Sequence, residues 1–280
     1  MKKIDAHHHF WRYEAAEYGW IGEGMEVLKR DFGPEDLKLL LEAAGIDGAI
    51  SVQARTTLAE NDALLAHAAA HDWIAGVVGW VDLTRADVGE TLGRYAGREK
   101  FVGVREVLQG MEDDAYCLRE DFNRGVAALH DFGLVYDILI FHRHLPNAIR
   151  FVDRHPNQVF VLDHVAKPEI ATAQPGAEWA KNILELSRRE NVFCKLSGMV
   201  TEVAEGVDWT PGLLRPYAEA VLEAFGPART MFGSDWPVCR LRSEYGRWVS
   251  AVGGFAAELS EDERAALWGG TAARAYGIEG

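Results

Sequence analysis

Eight short runs of β-branched and apolar residues recur along the chain, at 4–7, 49–53, 75–81, 101–105, 134–139, 159–164, 192–197 and 230–235. Each predicts a buried strand, and most are followed by a segment with apolar residues at helical spacing. Leu37, Leu40, Leu41 and Ala44 mark one such face, introduced by Pro34-Glu35-Asp36, where proline and early acids suit a helix N-terminus. Asn61 is the expected cap of the next, through Leu64, Leu65 and Ala68; later helices are expected over 122–132, 145–155, 179–190 and 213–225. Gly45, Gly133 and Gly226 stand where helices should stop. A closing pair is expected over 245–259 and 261–276, the second opened by the capping box from Ser260 to Glu263. Strands alternating with helices call for a parallel sheet with right-handed crossovers. Eight of them favour a (β/α)8 TIM barrel with C-terminal helices. A doubly wound sheet is disfavoured by the lack of Gly-x-Gly-x-x-Gly after the first strand. No stretch reads as a linker or repeat, so one domain is expected over 1–280.

Composition narrows the function classes. The 280 residues carry 29 Lys+Arg against 43 Asp+Glu, a net charge of −14, which argues against duplex nucleic acid or an anionic membrane as partner. The N-terminus lacks the apolar run of a signal peptide, and no apolar stretch is long enough to span a bilayer. Cys117, Cys194 and Cys239 lie far apart with no Cys-x-x-Cys pair, which fits a reducing, cytoplasmic setting. A homo-oligomer is compatible with the chain but not required by it.

In such a barrel the active site gathers at the C-terminal ends of the strands. His7 and His9 stand there on strand one, Arg105-Glu106 on strand four, Asp163-His164 on strand six, Lys195 and Ser197 on strand seven, and Ser234-Asp235 on strand eight. Singly, each has a structural reading: a core histidine, a turn cap, a solvated acid, an ion pair. Together, imidazoles and carboxylates suit zinc or a similar metal, an acid beside water suits general-base work, and guanidinium can stabilise an oxyanion without metal. Hydrolysis of a carbonyl compound is the expected chemistry. No Gly-x-Ser-x-Gly elbow or phosphate-binding glycine loop competes with it, and each cysteine reads as structural. Trp11, Trp20, Trp80 and Trp236 fall near strand ends, where they either pack or offer a face to a sugar ring.

The motifs Asp5-Ala6-His7-His8-His9-Phe10-Trp11, Leu162-Asp163-His164-Val165-Ala166-Lys167-Pro168 and Met231-Phe232-Gly233-Ser234-Asp235-Trp236-Pro237 carry a resemblance. So do Val52-Gln53-Ala54, Gly79-Trp80-Val81-Asp82-Leu83, Gly103-Val104-Arg105 and Cys194-Lys195-Leu196-Ser197-Gly198. The chain resembles the amidohydrolase superfamily over nearly its whole length, and within it the branch of L-fuconolactonases, L-rhamnonolactonases and 2-pyrone-4,6-dicarboxylate lactonases. The resemblance implies a barrel that opens the ester ring of a sugar-acid lactone. It implies Asp235 as the acid that activates water, His164 and Arg105 beside it, and His7, His9, Glu106, His164 and Asp235 as ligands of one divalent metal such as Zn2+. Strand five offers Tyr136-Asp137, with His142 and His144 only beyond it, which argues against the two-metal form. Some lactonases of this branch work without metal, so metal dependence stays open. Gln53, Arg55, Trp80, His142 and Lys195 are the expected substrate contacts. The rival readings are a metal-dependent decarboxylase of the same superfamily and a catalytically inactive barrel that only binds.

Overall fold

Alternating strand and helix close into a barrel in a computed structural model that describes residues 2–278. The strands are β1 (Ile4–His8), β2 (Gly48–Val52), β3 (Ile74–Gly79), β4 (Phe101–Glu106), β5 (Val135–Ile138), β6 (Phe160–Leu162), β7 (Val192–Leu196) and β8 (Thr230–Phe232). The helices between and after them are α1 (Pro34–Ala44), α2 (Leu58–Ala70), α3 (Val88–Ala96), α4 (Glu120–Asp131), α5 (Leu145–Asp153), α6 (Ala177–Leu186), α7 (Pro211–Phe225) and α8 (Tyr245–Phe255), with α9 (Glu261–Ala265) and α10 (Thr271–Tyr276) closing the chain. All neighbouring strands are parallel and follow sequence order. The seam between first and last strand is closed just past β8, where Asp235 N donates to His7 O and His9 N to Trp236 O.

Two apolar layers hold this together, as strand alternation requires. Ile4, Ile50, Val52, Val135, Val161 and Met231 point into the barrel, while residues such as Ala49, Val104, Tyr136 and Phe160 pack outward under the helices. The barrel's lower end is stopped by α10, whose Ala272, Ala275 and Tyr276 join the inner cluster.

Several expected elements shift, each for a local reason. Thr57, not Asn61, caps α2; Asn61 is buried inside the helix and clamps the Trp80 backbone through bonds of 2.7 and 2.8 Å. Helix α3 carried too weak a signal, because Gly89 and Gly93 interrupt a short face of Val88, Leu92 and Tyr95. The expected helix 261–276 is broken between α9 and α10 by a wide turn at Ala266–Gly270. β6 and β8 end earlier than their apolar runs, because the backbone turns left-handed at His164 and again at Asp235. The capping box holds: Ser260 N donates to Glu263 and Glu263 N to Ser260. All three cysteines are buried and free. No described helix is long and apolar enough to cross a membrane.

Candidate active site

The site begins with a register shift in β1. Between Asp5 and His8 the pairing with β2 slips by one residue, so Ala6 and His7 both face the barrel interior instead of alternating. His9, two residues on, then joins His7 on the same side. Below them Asp5 is buried and accepts from His7 N, Ser234 N and the Tyr245 hydroxyl, tying β1 to the end of β8. Burial pushes the Asp5 carboxyl up to about 6 in spite of these bonds.

From β6 the chain enters an uncommon turn: His164, Val165, Ala166 and Lys167 all have φ between 46° and 60°. Left-handed backbone costs a non-glycine residue about 1–2 kcal/mol, and such strain persists only where surrounding structure enforces it. Here Lys167 N bonds His164 O, and Trp179 Nε1 donates to Val165 O. The turn brings the His164 ring to 4.4 Å from the His7 ring, centre to centre, with Nδ1 2.8 Å from Ser197 Oγ.

His7, His9, His164 and Asp235 therefore converge. His7 and His9 bring their Nε2 atoms to 3.2 Å, and Asp235 Oδ1 lies 3.4 Å from His9 Nε2 and 3.8 Å from the Nε2 of both His7 and His164. The far nitrogens have partners of their own. His9 Nδ1 donates to Val52 O, and His7 Nδ1 lies 3.3 Å from both Asp163 Oδ1 and the Lys195 ammonium, while Arg105 Nη1 donates toward His7 Nε2. The Nε2 atoms of His7 and His9 thus face one another and a carboxylate. Burial holds the His7 imidazole well below its usual range and brings His164 down to about 4, so both rings are neutral at physiological pH. For Asp235, burial acts to raise the carboxyl, but His164, His9 and Lys167 together outweigh it and hold it below its usual value.

Beneath the cluster lies a sealed charge layer. Asp163 pairs with Arg105 at 3.0 Å and Lys195 at 3.0 Å, and Lys195 donates to Asp137, which also accepts the Tyr276 hydroxyl. The Lys195 contact to Asp163 is an ion pair without hydrogen-bond alignment, so Asp163 Oδ1 is left facing His7. Above the cluster opens a cavity of about 430 Å³ that includes His9, Gln53, Arg105, His164 and Asp235 in its wall.

The expected site residues fall into two groups. His7, His9, Arg105, His164 and Asp235 come together, and Gln53 lines the cavity while donating to Arg105 O. Glu106 does not join them. It follows inward-facing Arg105, so it points to the outer side, where its carboxylate accepts from Trp80 Nε1 and Val107 N. Trp80 is occupied with the same contact. Lys195 is buried below the histidines rather than presented to a ligand. Arg55 pairs with Glu17 and Glu60 in a separate cavity of about 550 Å³ under the first loop. His142 contributes Nδ1 to the Lys167 carbonyl, 3.2 Å away. Sequence reasoning assigned no role to Asp137, Lys167 or Glu202, and placed Asp163 at the end of strand six without a specific one. Asp163 stood among the strand-end candidates beside His164, but nothing in the local pattern marks Glu202, which follows β7 in a short turn.

This arrangement meets its relatives over the full chain. The family model for amidohydrolases matches residues 4–278. This chain belongs to the amidohydrolase family. Among amidohydrolases it is 44% identical to an L-fucono-1,5-lactonase of Burkholderia multivorans, over 99% of this chain and 96% of that one. A second L-fucono-1,5-lactonase, from Burkholderia ambifaria, is 37% identical over 99% of this chain and 96% of its own. A crystal structure of a Burkholderia multivorans amidohydrolase with bound zinc superposes with a TM-score of 0.95 at 44% identity, covering all of both chains.

Proposed function

We propose that this amidohydrolase hydrolyses the ester bond of a sugar-acid lactone, with L-fucono-1,5-lactone the first substrate to test. The observation that carries the reading is Asp235: an ionised carboxylate at the cavity floor, within 3.4–3.8 Å of three imidazole Nε2 atoms, in a chain 44% identical to an enzyme of that activity.

The donor set fits a divalent metal. Zinc holds imidazole nitrogens at ~2.0–2.1 Å, which spaces tetrahedral ligands about 3.3 Å apart. The His7–His9 and His9–Asp235 separations of 3.2 Å and 3.4 Å match this, the His7–Asp235 pair is 3.8 Å apart, and all three groups are buried. His7, His9 and Asp235 would hold the ion with His164 beside it; Glu106, on the outer side, would not. Such an ion supplies Lewis acidity toward the carbonyl and acidifies water.

The chain's own groups account for the proton movements. Asp235 takes a proton from water as the water oxygen bonds to the lactone carbonyl carbon. The ring C–O bond then breaks, and Asp235 returns the proton to the departing ring oxygen, giving a hydroxy acid. His164, fixed by Ser197 and neutral, orients the Asp235 carboxylate. Arg105 holds Asp163 and the Gln53 backbone in place.

A pH-indicator assay over a panel of aldonolactones, with and without chelator, tests this. Acid release from an aldono-1,5-lactone is expected, and Asp235→Asn should lower turnover by about 10²–10⁴-fold with an unchanged circular dichroism spectrum. No turnover of any lactone, or full activity in Asp235→Asn, would sink the proposal. Carbon dioxide release from an aromatic acid would favour the decarboxylase instead.

A further inference from the structure

Lactone opening needs a donor at the ring oxygen as the C–O bond breaks, and the basic residues expected to serve are already engaged. Arg105 spends Nη1 on Asp163 and His7 and Nη2 on the carbonyl and side chain of Gln53, while its Nε is sealed from solvent. Lys195 is locked between Asp137 and Asp163. Arg55 belongs to the neighbouring cavity.

Lys167 is different. Among the described residues it is, with Arg105, one of two Lys or Arg side chains in the wall of the mouth cavity. The strained turn that carries His164 also carries Lys167, and His142 fixes its carbonyl. Its ammonium lies 3.5 Å from Glu202 Oε1 and 5.7 Å from the centre of the Phe141 ring, at 17% exposure. An ammonium has three donors, and Glu202 is its one ion-pair partner among the described residues. The strain of four consecutive left-handed residues is thus spent on presenting two side chains, one to Asp235 and one to the open cavity.

We infer that Lys167 donates a hydrogen bond to the lactone ring oxygen and holds the alkoxide that forms there, making it a catalytic residue for ring opening, with Glu202 as the residue that aims it. The inference rests on the lactonase reading. Lys167 keeps its proton throughout: Asp235 delivers the water-derived proton to the alkoxide, and the ammonium stabilises negative charge until it arrives.

The test compares a 1,5-lactone with the thiolactone of the same polyol acid, whose thiolate departs without a donor, in wild type, Lys167→Met and Lys167→Arg. Lys167→Met should lower kcat for the lactone about 100-fold with KM changed little, lower thiolactone kcat less than threefold, and be partly rescued in Lys167→Arg. Circular dichroism confirms folding. A Lys167→Met enzyme within threefold of wild type on the lactone overturns the inference. So does an equal loss on both substrates, or a wild type that opens the lactone but not the thiolactone. If wild type opens no lactone, the failure belongs to the proposed function itself.

Discussion

At position 198 one methyl group separates a working site from a damaged one. Gly198 has φ of +64°, and a Cβ there would lie 2.5 Å from His164 Nδ1, where the ring meets Ser197. Gly198→Ala therefore meets both backbone strain and a clash with the imidazole beside His7 and Asp235. It should cost about 1–3 kcal/mol in urea unfolding and lower lactone turnover by more than its effect on stability, because His164 must move. A variant with wild-type kcat would show that His164 tolerates displacement. At this scale the sequence was readable where side-chain type and period agreed. His7 and His9 were paired correctly by their spacing. Glu106 was misplaced because adjacent strand residues face opposite sides, and Arg105 had already taken the inner one. Lys195 was placed at the correct strand, but its depth in the barrel depends on Asp137 and Asp163, which come from other strands.

Elements add what single residues cannot. Helix α10 has six residues, too few to be stable alone, and owes its place to burial in the barrel's lower end. Its Tyr276 hydroxyl lies 2.9 Å from both oxygens of Asp137, the carboxylate that holds Lys195. Tyr276→Phe removes a hydrogen bond to a buried charge and should cost about 1.5–3 kcal/mol, read as a lowered urea midpoint at unchanged slope. An unchanged midpoint would mean that the charge layer does not depend on the terminal helix. Helix periodicity marked most of the outer shell, but it missed α3 behind its glycines and ran straight through the break before α10. The turn at 164–167 was invisible, since left-handed backbone in four non-glycine residues is imposed by packing and not by local preference.

The whole molecule buries titratable groups of both signs, and this sets its response to acid. His155 is buried, with Nε2 2.8 Å from Asn123 Oδ1, and burial lowers its basicity. The unfolded chain takes up a proton near pH 6.5, before the folded one does. Stability from neutral His155 is therefore complete above 6.5 and lost as pH falls toward the folded value, and His164, brought to about 4, acts with the same sign. Asp5 and Asp137, both raised to about 6 by burial, act oppositely: the fold takes their protons first and gains stability as pH falls from about 6 toward 3.8. Thermal midpoints should thus begin to drop near pH 6.5, and His155→Gln should flatten that first decline. An identical pH profile in the variant would remove His155 from the account. The linear pattern alone determined the strand count, their order, the barrel and which motifs would crowd its mouth, because apolar period and turn residues act over a few positions. Only the closed barrel decided which charged groups are sealed beneath the floor and which reach the cavity. That choice depends on strand facing, on one slipped register in β1, and on partners more than fifty residues away.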